Sequence, residues 1–389
     1  TNWQAPRGRI VAVDLERPSK EHWVEILPEQ EDVLDAVCYV GGRFVASFFH
    51  NAHSRLCIYD RQGSLVEEVE LPAMGTVQGL WGRQDQQDFF FSIASFLYPG
   101  TVYHYDLESR TLKPFGEQKL SFDPDEYETR QVFYPSKDGT QVSMFLVHKR
   151  GLQLDGTNPA LLYGYGGFNI PITPFFSPGR IWWLEQGGVY AVANLRGGSE
   201  YGEEWHRAGM LENKQNVFDD FMAAAQWLVE QGYTSRERLV IEGRSNGGLL
   251  VSAVLVQRPE LFGAVVCVVP VTDMLRFHKF TVGCYWVPEY GNAEANPEHF
   301  QFLYKYSPLH NVQPREYPPT IIVTADGDDR VVPAHAYKFA ATLQEGQKGS
   351  APILLRVDTK AGHGHGKPTA KLVEEQADIY AFLTKVLGI

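Results

Sequence analysis

The first third of the chain alternates short β-rich runs with turn residues, and the remainder alternates longer apolar runs with helical stripes. Up to about residue 125 no stretch keeps a 3.6-residue period, so amphipathic helices are not expected there. Two segments, RLCIYDRQGSLVEEV (55–69) and GTVYHYDLESRTLKPF (100–115), follow one order: β-rich run, Tyr-Asp, turn, β-rich run. Self-similar antiparallel units of this kind read as propeller blades, which stack radially and so protect their edges. Roughly 115 residues supply two to three blades, whereas a closed ring needs at least four. A small β-sandwich accommodates the same strands nearly as well.

After residue 125 the pattern is α/β. Apolar strands are predicted in ALLYGYGG, GVYAVANLRGG, RLVIEG, GAVVCVVP, TIIVTADGDD and ILLRVDTKAGHG. Helices are predicted in VFDDFMAAAQWLVEQG, GGLLVSAVLVQRP, PAHAYKFAATLQEG and PTAKLVEEQADIYAFLTKVL. The last of these places apolar residues three and four apart, a stripe suited to a sheet face. Strands that are apolar throughout and separated by helices indicate a mostly parallel sheet covered on both faces. The expected organisation is an all-β region, an incomplete propeller, over 1–120 and an α/β domain over 121–389.

Within that domain, LVIEGRSNGGLLVS (239–252) reads as strand, tight turn and helix start, with Gly243-Arg244-Ser245-Asn246-Gly247 at the turn. This is the G-x-S-x-G nucleophile elbow in its required context, where flanking glycines avoid a clash that any Cβ would make. Ser245 then sits at a helix N-terminus, whose free N–H groups stabilise a developing oxyanion. Asp328 and His363 also follow strands, where open α/β sheets place their active sites. The order Ser…Asp…His is that of α/β-hydrolases. His363 would take the Ser245 proton and return it to the leaving group, and Asp328 would orient the imidazole. Asp328 also reads as an ordinary loop carboxylate, and His365 competes with His363. A calcium site on Asp326, Asp328 and Asp329 lacks EF-hand spacing and a distal glutamate. Neither a metal nor a cofactor is expected.

One oxyanion donor is expected from the backbone N–H of Asn246. The second is expected from the loop Tyr163–Phe168, as a tyrosine hydroxyl or a backbone N–H. YWVPEYG offers Trp286 and Tyr290 in a Gly- and Pro-containing loop, which predicts that the two rings are exposed and free to line a pocket. Glu289 is the one acid beside them, and a surface position suits it equally well.

GRSNGGLL, LYGYGGFN, NLRGGSEYGEEWH, DGDDRV and AGHGHGKP together resemble the prolyl oligopeptidase family of serine peptidases. The likeness covers 125–389 in order and spacing. It implies an α/β-hydrolase domain capped by a seven-bladed β-propeller, and cleavage of short peptides after proline. It further implies Ser245, Asp328 and His363 as the triad, with the Tyr165 hydroxyl and the Asn246 backbone as oxyanion donors. Arg330 matches the arginine that binds a substrate carbonyl. The proline pocket is implied to be Phe168, Asn246, Val271, Trp286, Tyr290 and Val331. A flat, apolar prolyl ring without an N–H is well held by such aromatic walls. A basic-residue oligopeptidase, an acylaminoacyl peptidase, an esterase and an inert propeller-based binding protein remain as alternatives.

Composition narrows the partners. The chain is 44% hydrophobic and 21% charged, ordinary for a globular protein. A formal net charge of -12 argues against nucleic acid and anionic membranes. The longest apolar run, Phe262–Val271, is too short to span a bilayer. Cys38, Cys57, Cys267 and Cys284 form no C-x-x-C pair and read as free thiols. Free thiols favour the cytoplasm, with a periplasm left open because the chain starts at Thr1. The family's early blades and first hydrolase segment have no counterpart, so the missing N-terminal part is expected as a second fragment of the same polypeptide.

Overall fold

The Tyr-Asp repeat of the first third closes hairpins. Asp60 Oδ1 accepts from the N–H groups of Gln62 and Ser64 at 2.9 and 2.8 Å, and Asp106 Oδ1 accepts from Glu108 and Ser109 at 3.0 and 2.8 Å. A short carboxylate bonding its own backbone two and more residues on is what makes aspartate a turn former. In a computed structural model describing residues 1–116, 119–364 and 366–389, these turns lie between strands of two antiparallel meanders.

The chain divides into two compact units. One comprises Thr1–Thr129 with Pro171–Ile181 and Ser199–Trp205; the other comprises Arg130–Ile170 with Trp182–Gly198 and His206–Ile389. In the first, β1 (Ile10–Ala12) and β2 (Val24–Leu27) form a ribbon. β3 (Val33–Val40), β4 (Arg43–His50), β5 (His53–Tyr59) and β6 (Leu65–Val69) form one four-stranded sheet in chain order. β7 (Thr76–Gly82), β8 (Asp88–Ala94), β9 (Thr101–Asp106) and β10 (Thr111–Pro114) form another. Their facing sides share one core, with Val40, Val45, Leu56 and Ile58 from one sheet meeting Phe89, Phe91 and Tyr105 from the other. The approach is close: a Cβ on Gly82 would lie 2.5 Å from Val40 Cγ2. These self-contained four-stranded sheets are the blade-like units that the repeat predicts.

The second unit is built on an eight-stranded sheet. Its strands are β11 (Tyr127–Pro135), β12 (Gln141–Lys149), β13 (Ala160–Tyr163), β14 (Val189–Ala193), β15 (Leu239–Arg244), β16 (Ala264–Val268), β17 (Thr320–Ala325) and β18 (Ile353–Asp358). The order is β11-β12-β14-β13-β15-β16-β17-β18. β14 through β18 are joined in parallel, while β12 pairs with β14 antiparallel. The apolar-run reading finds the six inner and C-terminal strands but not β11 and β12. Their sequences follow the β-rich pattern of the first third and carry no helix between them, so pattern alone does not separate them from it.

Helices in chain order are α1 (Pro178–Glu185), α2 (Glu203–Arg207), α3 (Gln215–Glu230), α4 (Asn246–Gln257), α5 (Val287–Tyr290), α6 (Pro297–Tyr306), α7 (Ala334–Gly346) and α8 (Thr369–Leu387). The four predicted helices correspond to α3, α4, α7 and α8. α4 is buried from Asn246 to Val256 on every side, which its lack of any polar stripe requires. That helix is the centre of the unit, and its first turn carries the site. Among the described residues no helix is long and apolar enough to cross a membrane.

Candidate active site

β15 ends at Arg244 and α4 begins at Asn246, leaving Ser245 alone between them at φ 59°, ψ -115°. A non-glycine residue in that region costs on the order of 1–3 kcal/mol and persists only where its surroundings enforce it. Here they do. The Ser245 N–H donates to the Val268 carbonyl at 2.9 Å, and the Ser245 carbonyl accepts the first helical bond from Leu249 at 3.0 Å. The flanking glycines are required for space: a Cβ on Gly243 would lie 2.0 Å from the Gly247 oxygen, and one on Gly247 would lie 2.6 Å from the Gly164 oxygen.

Asp328 and His363 come together from the loops after β17 and β18. Asp328 Oδ2 lies 2.7 Å from His363 Nδ1, and as an ionised carboxylate can only accept. Nδ1 therefore carries the proton, which leaves Nε2 as the acceptor. The other carboxylate oxygen accepts from the N–H groups of Arg330 and Val331 at 3.0 and 2.8 Å. Asp326 ties the same loops, since its Oδ1 accepts from the Lys360 N–H at 2.7 Å. These carboxylates are committed to backbone donors and an imidazole rather than to one another, and no group of three metal-ligating side chains exists among the described residues. His365 lies outside the described residues.

The glycine-rich loop after β13 is held by side chains from distant parts of the chain. Asn246 Nδ2 donates to the Tyr165 carbonyl at 2.6 Å, and Lys214 Nζ donates to the Gly166 carbonyl at 2.7 Å. The Phe168 N–H donates to Glu289 Oε1 at 2.8 Å, while Glu289 Oε2 pairs with His206 Nε2 at 2.8 Å. Asn246 Oδ1 accepts from both Tyr290 Oη at 2.7 Å and Lys214 Nζ at 3.2 Å. Phe168 sits at φ 59°, a strained setting for a bulky side chain that this bonding holds in place. Burial pushes the Tyr165 hydroxyl up to about 12, opposed by the Arg330 guanidinium and reinforced by Glu289. At neutral pH that hydroxyl is a hydrogen-bond donor.

Tyr165, Phe168, Ile170, Ser245, Val271, Trp286, Tyr290 and Arg330 line one cavity of about 60 Å³. Phe168 meets Tyr290 edge-on at 5.3 Å between ring centres, and Trp286 edge-on at 6.5 Å. The expectation that Trp286 and Tyr290 are exposed fails: they are 9% and 0% exposed. The segment forms a tight turn running into α5, not an open loop, because Phe277 stacks on Trp286 at 6.3 Å and meets Tyr290 at 5.3 Å. Glu289 is likewise buried, at 5% exposed, and fully engaged. Neither Val331, which is buried with its N–H bonded to Asp328, nor Asn246, which is committed to the loop, is among the residues lining the cavity.

Lys214, His206, Ile170 and Phe277 belong to the site's surroundings without being singled out by pattern, whereas Glu289 stands out only as the acid beside the aromatics. Lys214 stands in the polar run Glu212-Asn213-Lys214-Gln215-Asn216, which reads as solvated surface. Burial lowers its ammonium to about 8, opposed by the Glu289 carboxylate.

Comparison with known proteins places the chain among relatives along its whole length. Residues 174–389 match the model of the prolyl oligopeptidase family, and residues 1–118 match that of the prolyl oligopeptidase N-terminal β-propeller domain. The prolyl endopeptidase of Elizabethkingia miricola is 43% identical over 390 residues, covering 100% of this chain and 55% of the relative. That of Dictyostelium discoideum is 40% identical over 406 residues, covering 100% and 53%. A solved structure from a study of two prolyl endopeptidases and their inter-domain dynamics superposes with a TM-score of 0.96 at 46% identity, over 100% of this chain and 57% of that one. Prolyl oligopeptidase B of Galerina marginata, bound to a 35-residue hydrolysis and macrocyclisation substrate, superposes with a TM-score of 0.94 at 40% identity, over 100% and 56%. The chain spans about half the length of the curated relatives it matches. With an α/β-hydrolase sheet, a serine elbow and blade-like sheets preceding them, it belongs to the prolyl oligopeptidase family.

Proposed function

We propose that this chain carries the catalytic centre of a serine endopeptidase that cleaves short peptides on the carboxyl side of proline. The observation that carries the reading is one cavity in which Ser245 faces aromatic walls from Phe168, Trp286 and Tyr290. Ser245 Oγ attacks the prolyl carbonyl carbon while His363 Nε2 takes its proton. The carbonyl oxygen becomes an oxyanion, received by the Tyr165 hydroxyl and the Asn246 N–H. The intermediate collapses, the C–N bond breaks, and the imidazolium returns its proton to the leaving amine. Water then repeats the sequence on the acyl-serine. Asp328, held by His363 and two N–H groups, keeps the imidazole in the required tautomer throughout. Arg330 at the cavity rim binds a carbonyl of the residue preceding proline.

The prolyl ring enters between Trp286, Phe168, Tyr290 and Val271, where it buries apolar surface and leaves no donor unpaired. A peptidase for basic residues would need a carboxylate free to pair with arginine or lysine. Glu289 already bonds Phe168 and His206, which weighs against that alternative. In this reading residues 1–120 are propeller and 121–389 the catalytic domain. Two four-stranded sheets fall short of the four blades of a closed ring, so the remaining blades would come from a further segment of the polypeptide. The free thiols favour a reducing cytoplasm.

A Gly-Pro reporter and an Arg-Arg reporter, each assayed with wild type and Ser245→Ala, test the reading. Cleavage of the first alone, lost by at least about 10⁴-fold in the variant with the fold retained, is expected. Equal rates on the two reporters would refute proline specificity.

A further inference from the structure

Burying a lysine ammonium costs several kcal/mol unless its partners repay the lost water, and an apolar side chain of similar shape is often at least as stable in its place. Lys214 is 1% exposed. Its hydrogen-bond acceptors are neutral: the Gly166 carbonyl at 2.7 Å and Asn246 Oδ1 at 3.2 Å. The ammonium also stands over the Tyr290 ring, 5.5 Å from its centre. Stability alone does not call for a cation at this position.

What the cation does is join two pieces of chain. Gly166 belongs to the loop that carries Tyr165, and Asn246 begins α4 immediately after Ser245. Gly166 (φ 62°) and Gly167 leave no room for side chains, since a Cβ on Gly167 would lie 2.6 Å from Asn246 Nδ2. The loop is thus pressed against Asn246 and fastened at consecutive carbonyls, Tyr165 by Asn246 and Gly166 by Lys214. We propose that Lys214 is a positioning residue for the oxyanion hole, its ammonium clasping the Tyr165 loop to the Asn246 side chain so that hydroxyl and N–H converge on one point. This rests on the reading of Ser245 as nucleophile with Tyr165 and Asn246 as donors.

The titratable groups around the clasp are Glu289 and Tyr290 on α5, Tyr165 on the loop, Tyr306 at the end of α6, and His206 bonded to Glu289. Burial pushes all three tyrosine hydroxyls up. Burial also raises Glu289, but its bond to His206 and the Lys214 charge outweigh that and hold it low. Lys214, brought down to about 8 by burial, loses its charge as the solution becomes mildly alkaline, and with it the charge-assisted clasp.

The test uses the full polypeptide and the rate at which a simple fluorophosphonate labels Ser245. In that reaction the Oγ–P bond forms, the P–F bond breaks, fluoride leaves and His363 takes the serine proton, so the rate reports the oxyanion hole without requiring proline specificity. Wild type is expected to lose labelling rate as pH rises through about 8 while its circular dichroism is unchanged. Lys214→Met is expected to label about 10- to 100-fold more slowly at pH 7 and to lose the limb near pH 8. A folded Lys214→Met with the wild-type rate, or with the alkaline limb intact, overturns the proposal. Should Lys214→Met not fold, Glu289→Gln decides: removing the carboxylate should move the limb to lower pH, and an unmoved limb overturns it. Normal labelling with no cleavage of a Gly-Pro reporter refutes the prolyl reading and leaves the clasp standing, whereas no labelling at all refutes both.

Discussion

The elbow at Gly243–Gly247 and the loop at Tyr163–Asn169 serve the same cavity but are held by opposite means. The elbow is a backbone device: two glycines without room for a Cβ and a serine at positive φ, pinned by main-chain bonds to β16 and α4. Its geometry follows from residues within a few positions of one another. The loop is a side-chain device, fastened by Asn246, Lys214 and Glu289 from three other segments. In the proposed reading, a rigid nucleophile thus works with a donor whose position depends on charges and amides far away in sequence. The difference predicts how each responds to change: the elbow should fail abruptly, the loop by degrees.

Gly247→Ala should have the largest effect, because its Cβ would press 2.6 Å from the Gly164 oxygen, a backbone atom that cannot swing aside. Loss of several kcal/mol of stability together with abolished Ser245 labelling is expected; thermal denaturation and labelling read both. A variant that melts like wild type would mean the elbow is as adaptable as the loop. Tyr165→Phe should be milder, removing one donor and nothing else. A fall of about 10²- to 10³-fold in kcat, with KM little changed and the fold intact, is expected. A fall confined to KM would place that hydroxyl in substrate binding instead.

A third difference lies in stability against pH. The Lys214 ammonium titrates at about 8 when folded against an ordinary 10.5. Between these values the unfolded chain binds the extra proton, so this group's contribution to stability increases as pH rises from 8 to 10.5. Denaturant midpoints of Lys214→Met should lack that increment. Activity and this increment run in opposite directions for wild type, which separates loss of the clasp from general alkaline unfolding.

Much of the fold is legible in the pattern. Inner strands of a covered parallel sheet must be apolar throughout, so Leu239–Arg244 and Ala264–Val268 stand out, and α4 is recognisable by its lack of any polar face. β11 and β12 are not legible, because these neighbouring strands at the sheet's end, with no helix between them, carry the same β-rich signal as the meanders before them. At the site, Ser245, Asp328 and His363 follow strands and can be placed by topology. Trp286 and Tyr290 were legible as pocket residues but not as buried ones, since their burial depends on Phe277 stacking from outside their segment. The burial of Lys214, His206 and Glu289 is not legible, for a charged residue looks the same in sequence whether solvated or enclosed.

Elements with local causes are therefore readable along the chain: the Asp-closed hairpins, the glycine-flanked elbow, the apolar strands, and the order of serine, aspartate and histidine at strand ends. Steric exclusion and hydrophobic period act over a few residues, and both are written in the chain. Long-range packing settles which charges are buried, which loop the buried lysine bonds, and that the aromatic wall is packed rather than exposed. Those outcomes depend on desolvation and on partners outside the local segment, and no local pattern encodes either.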